Sequence, residues 1–182
     1  RKVSSMELQW PLILFTTLVA WSAGVFGCQG VLALKGARKK SQQLLAVVSC
    51  VLLALGGIAV FFHLQHWERI FNGFGHLTSG ITQELIGIVV TVVVLAVLFG
   101  VLRKAEDGER VLPKWCGILA VVVGVVMGFV CAHSYFMPAR PAWANLTLYL
   151  YYYASELVLG AAGTWLLAAA LHEDEAVGAL LA

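Results

Sequence analysis

The sequence predicts an all-α protein, a polytopic transmembrane helix bundle of five spans with its N-terminus outside. Three observations predict it. Five apolar runs, at about 10–34, 44–64, 85–102, 115–135 and 146–171, approach or exceed the length needed to cross a bilayer. A helix rising about 1.5 Å per residue needs ~20 apolar residues to span a ~30 Å hydrocarbon core. Hydrophobic residues make up 60% of the chain and charged residues only 12%. A soluble domain averages about 25% charged residues, so most soluble functions are excluded and residues 1–182 read as a single membrane domain. Finally, the basic residues gather in alternate loops, and this fixes orientation.

The first run opens on Trp10-Pro11, where proline suits a first helical turn. The run is too long for a signal-peptide core and no small-residue cleavage site follows it. The next loop, KGARKK, carries Lys35, Arg38, Lys39 and Lys40; the loop after the third span carries Arg103, Lys104, Arg110 and Lys114. The loops after the second and fourth spans hold only Arg69 and Arg140. The positive-inside rule therefore places the first and third loops in the cytoplasm. With the basic residues so used, the net charge of +2 implies no nucleic-acid partner. The partner is the lipid bilayer.

Between spans two and three runs the long connection QHWERIFNGFGHLTSGITQ, residues 65–83. Its aromatic residues suit an interfacial segment, partly helical near WERIF. Connections of this length in a compact bundle are usually functional. Glycines at helix-packing spacing (Gly24, Gly27, Gly124, Gly128, Gly160 and Gly163) mark close approaches between helices. Cys28, Cys50, Cys116 and Cys131 form no metal-ligand spacing and read as small buried apolar residues. After HEDE at 172–175 the sequence turns apolar again, so the chain reads as a fragment or a shortened family member.

Few residues remain for chemistry. His63 ends the second span, with His66 close behind it and Arg69 beyond. An imidazole here titrates near neutral pH and can exchange a hydrogen bond or proton with a quinone oxygen; the plainer reading is an interfacial histidine meeting water. Glu84 opens the third span on the same side. It is either a proton acceptor near His63 or a helix-dipole residue in a first turn capped by Thr82. His133 ends the fourth span and could pair with His63 to ligate a b-type haem; Tyr135 is a further donor or an aromatic-belt residue. Glu156 lies well inside the fifth span and should face the bundle interior, as a proton relay or a protonated hydrogen-bond donor. The tyrosines at 149 and 151–153 read as interfacial anchors. The sequon at Asn145 carries almost no weight.

These residues resemble a known family, the membrane anchor subunit (DmsC family) of bacterial dimethyl sulfoxide reductase. The opening Trp10-Pro11-Leu12 and the run ending in LALKG are similar to the family's start. His63-Leu64, Arg69-Ile70-Phe71-Asn72 and Thr82-Gln83-Glu84 resemble its most specific segment, and Tyr135, Pro141 and Trp143 fit its later spacing. The likeness covers nearly all of residues 6–171. It implies a subunit of the bacterial cytoplasmic membrane with no haem, iron–sulfur cluster or other metal of its own. Such a subunit anchors a molybdopterin catalytic subunit and an iron–sulfur electron-transfer subunit, and oxidises menaquinol on the outer side. The quinol-binding residues fall on His63 and Glu84, with His66, Arg69, His133, Tyr135 and Glu156 as a surrounding shell or proton path. Two departures stand out: the family usually has eight spans where five appear here, and His133 stands where the family carries an arginine. The competing readings are a b-type cytochrome anchor using His63 and His133, and a small transporter or structural membrane protein. For a transporter, Glu156 is the only midplane charge and no inverted repeat is visible.

Overall fold

The computed structural model describes residues 10–36, 39–63, 76–106, 112–139, 141 and 143–172, with backbone only for Lys39 and His63. Five helices carry all the regular structure among them: α1 (Trp10–Lys35), α2 (Lys39–His63), α3 (Gly80–Lys104), α4 (Lys114–Ser134) and α5 (Leu146–Ala170). Each is long and apolar enough to cross a membrane. Large apolar side chains such as Val51, Val93, Val126 and Leu157 face outward, which suits a surface solvated by lipid. Lys35, Lys40, Arg103, Lys104 and Lys114 all belong to one end of the bundle, here the Lys35 end. Trp10, His63, Gly80, Ser134 and Leu146 belong to the other, the Trp10 end.

α1 is the hub. It packs on α2, α4 and α5, while α3 leans on α4 and, more lightly, α2. Lipid tails are as apolar as leucine, so these helices associate through close packing and internal hydrogen bonds. Both devices are visible. A Cβ at Gly24 would strike the Glu156 carbonyl oxygen and lie 2.9 Å from Gly160 Cα, so the backbones of α1 and α5 touch. A Cβ at Gly30 would lie 2.6 Å from the Gly117 carbonyl, the corresponding approach of α1 to α4.

Against α2, α1 uses polar side chains instead. Ser22 Oγ donates to Ser49 O at 2.7 Å and Ser49 Oγ donates back to Ser22 O at 3.4 Å. Two turns along each helix, Gln29 Nε2 donates to Gln42 O at 3.0 Å and Gln42 Nε2 to Gln29 O at 3.4 Å. All four side chains are fully or almost fully buried. An amide or hydroxyl in hydrocarbon without a partner costs roughly 2–7 kcal/mol, so these reciprocal pairs fix the register of α1 on α2. α1 then stops at Gly36, whose φ of 90° a glycine adopts freely.

The structure departs from the sequence reading at four places. α2 begins at Lys39, not near residue 44. α3 begins at Gly80, not near residue 85, because Thr82 and Glu84 are buried instead of solvated. Apolarity ends there but helix does not. Ser79, not Thr82, is the N-cap residue, and Glu84 lies beyond the first turn, which holds no acidic residue. Cys50 is exposed at the bundle surface, although Cys116 and Cys131 are buried. The expected interfacial helix near WERIF lies outside the described residues.

Because the α1–α5 contact has no room for a side chain, Gly24→Ala should destabilise the fold by about 2 kcal/mol or more. Gly27→Ala, where a Cβ meets nothing within 4 Å, should leave it unchanged. Thermal unfolding in detergent, followed by circular dichroism, checks the pair.

Candidate functional site

The inward face of α4 near the Trp10 end organises the buried carboxyl groups. Glu84 is 6% exposed and Glu156 7% exposed. The Ser134 hydroxyl, which donates to Cys131 O at 2.9 Å, lies against the Glu84 carboxyl. Glu156 reaches α4 lower down, where Gly128 makes room: a Cβ there would strike Glu156 Oε2. Gly128 and Ser134 are separated by about 9 Å along the helix axis. Between them sits buried Cys131. Glu84 Oε1 and Glu156 Oε2 have no hydrogen-bond partner among the described residues.

Local packing explains why Glu84 points inward. A Cβ at Gly80 would lie 2.7 Å from Ser134 Cα, so the first turn of α3 presses on the last turn of α4. Glu84, one turn after Gly80, is thereby turned toward Ser134 and away from lipid. Tyr135 follows at the end of α4 and stacks on Tyr152 of α5, with ring centroids 6.1 Å apart. Burial, then the neighbouring Glu84 and Cys131, push the Tyr135 phenol above its usual range. Tyr135 therefore keeps its proton. Tyr152 is itself 8% exposed.

The structure thus gathers Glu84 and Tyr135 and sets Glu156 at a second level beneath them. The backbone of His63 ends α2 at the same end of the bundle; its side chain, His66 and Arg69 lie outside the described residues. His133 goes elsewhere. It is exposed on the seam of α4 and α5, its Nδ1 2.9 Å from the Tyr149 hydroxyl. Its ring stacks with Phe129 and Phe136 at centroid distances of 5.7 and 6.4 Å. α2 and α4, the two helices that would have to share a haem, each pack on α1. Among the described residues no group of three or more His, Cys, Asp or Glu could hold a metal ion.

The tyrosine run is divided in role. Tyr151 is 70% exposed and suits an anchor. Tyr149 binds His133, Tyr152 is core, and the Tyr153 hydroxyl donates to Val125 O at 3.0 Å. Asn145 caps α5, its Oδ1 accepting from Thr147 N at 2.9 Å. Residues that sequence reasoning passed over include Ser134 and the Ser22, Gln29, Gln42 and Ser49 quartet; Gly128 was read as a packing glycine but not as room for Glu156. The quartet had a readable signal, a serine and a glutamine seven residues apart within the first apolar run and again where the second begins.

Comparison with known proteins places this geometry in context. A family model described as DMSO reductase anchor subunit (DmsC) matches residues 5–182. No curated protein and no solved structure matches the chain.

The Gly128 notch fits a carboxyl group or its neutral amide equivalent. Glu156→Gln should accumulate in membranes at the wild-type level. Glu156→Lys, which puts an ammonium group of about 3 kcal/mol insertion cost into the same notch, should not. Immunoblots of membrane fractions distinguish them.

Proposed function

The chain belongs to the DMSO reductase anchor subunit (DmsC) family, and on that premise we propose that it oxidises menaquinol at the end of the bundle carrying His63 and Glu84. Membership and the five long apolar helices make it a multi-pass membrane anchor subunit that associates with the other subunits of a DMSO reductase-type complex. The finer assignment is our reading. It places the Trp10 end at the outer face of a bacterial cytoplasmic membrane, with an iron–sulfur subunit and a molybdopterin catalytic subunit as the partners.

Oxidation breaks both O–H bonds of the quinol, leaving a quinone, two protons and two electrons. In this reading the His63 imidazole accepts the hydrogen bond and proton of one hydroxyl. The Glu84 carboxylate takes the other, and Tyr135 donates a hydrogen bond near it. The two electrons leave to an iron–sulfur cluster of the partner subunit. The observation that carries the proposal is the burial of Glu84 near a helix end, with one oxygen unpartnered beside Ser134 and Tyr135. A carboxyl so placed can take a proton from a ligand at the membrane boundary and return it to water.

The test is fluorescence titration of the assembled complex with a hydroxyquinoline N-oxide, with the absorption spectrum recorded alongside. Tight binding to the wild type, lost in His63→Ala and without a Soret band, supports the quinol site. Equal binding to both removes His63 from it. In Glu84→Gln, turnover with menaquinol should fall about a hundredfold while the complex still assembles, the range expected for loss of a proton-transfer group.

A further inference from the structure

Beginning at Gln83, the sequence neighbour of Glu84, a groove opens between α3 and α4. It encloses about 310 Å³ and is lined by Gln83, Gly87, Val90 and Thr91 of α3 and by Val126 and Met127 of α4, among others. Glu84, Gly87 and Thr91 share one face of α3 at helical spacing. Met127 lies on the α4 stripe that continues through Cys131 to Ser134. The groove therefore prolongs the carboxyl cluster toward the bilayer centre. From Gln83 to Thr91 it runs about 12 Å along the helix axis.

Its chemistry is that of a tail slot. Gln83 is its one polar side chain at the Trp10 end. Farther in, the Thr91 hydroxyl donates to Gly87 O at 2.8 Å. That bond within α3 leaves the threonine's methyl group as its apolar contribution. At the floor of the slot Gly87 lets Met127 close in on α3, for a Cβ there would lie 2.9 Å from Met127 Sδ. The groove opens sideways to the face where Val90 and Val126 are exposed, so a chain already dissolved in the bilayer can enter without leaving hydrocarbon.

We propose that this α3–α4 groove binds the isoprenoid tail of the quinol and so aims its ring at Glu84. The proposal rests on the quinol reading above. Its occupant follows from continuity: a molecule with a polar ring at Glu84 and a long apolar tail meets this slot one turn farther in. A phospholipid acyl chain is the competing occupant.

The test uses the assembled complex in vesicles and two probes that share a head group, hydroxyquinoline N-oxide with and without a heptyl chain. Val90→Phe and Val126→Phe fill the groove from its lipid-exposed side, where added bulk meets no packed backbone. Size-exclusion chromatography and the affinity for the chain-free probe report that the complex is intact. Affinity for the heptyl probe should fall about five- to tenfold in both variants, the effect of displacing roughly two methylene contacts. Affinity for the chain-free probe should stay as in wild type. Equal losses for the two probes, or none for the heptyl probe, overturn the proposal; the second result marks the groove as an acyl-chain slot. A wild-type complex that binds neither probe removes the quinol site itself, and the groove proposal with it.

Discussion

Where Gly24 of α1 meets Gly160 of α5, two helix backbones touch with no side chain between them, and much else in the bundle follows from that contact. The same crossing brings Gly24 against the carbonyl of Glu156, so the turn that carries the buried glutamate is held by backbone packing. With α5 held there, the Glu156 side chain has one direction to go, into the notch that Gly128 leaves on α4. α4 in turn is set by its own glycine contact with α1 at Gly30 and Gly117. The position of a charge-bearing group deep in the bilayer is thus decided by residues without side chains. A membrane bundle suits this arrangement, because contact between backbones is its main source of affinity between helices.

The polar groups divide into two populations. On α1 and α2, the Ser22–Ser49 and Gln29–Gln42 pairs give their donors to backbone carbonyls and serve packing. On α3, α4 and α5, the carboxyls of Glu84 and Glu156 keep an oxygen without a protein partner. Buried polar capacity left open is costly in a low-dielectric interior. Gln29 Oε1 and Gln42 Oε1 between α1 and α2 carry the same cost, so what sets Glu84 and Glu156 apart is that both are carboxyl groups resting on α4.

Helix positions were largely legible in the sequence, and the exceptions are instructive. Lys35 and Lys114 bound apolar runs sharply, so α1 and α4 lie within a residue of where hydropathy puts them. α3 started earlier than its apolar run because hydropathy records what a side chain is, not which way it points. Thr82 and Glu84 are polar, yet they pack inward against α4. At the candidate site, Glu84, Tyr135 and Glu156 were readable as ionisable groups in or beside apolar runs. Ser134 was not, and Cys131 and Gly128 were readable only as packing residues, since a small residue acquires meaning only from what rests on it. His133 was readable as a residue but not in direction. It and Ser134 are neighbours on α4, yet one faces the aromatic seam with α5 and the other the Glu84 carboxyl.

The reciprocal pairs between α1 and α2 bear on how the chain is assembled. They join the first two helices across a turn of only a few residues, and they satisfy groups that neither helix can satisfy alone. In a chain inserted from its N-terminus, α1 enters the bilayer with the Gln29 amide and Ser22 hydroxyl lacking the carbonyls they use in the finished fold. Entry of α2 supplies those carbonyls. The α1–α2 hairpin is therefore a unit of biogenesis as well as of structure, its Ser22–Ser49 and Gln29–Gln42 bonds available before α3 has been synthesised. It offers the later helices a finished template, with Gly24 and Gly30 already turned toward the places α5 and α4 will occupy.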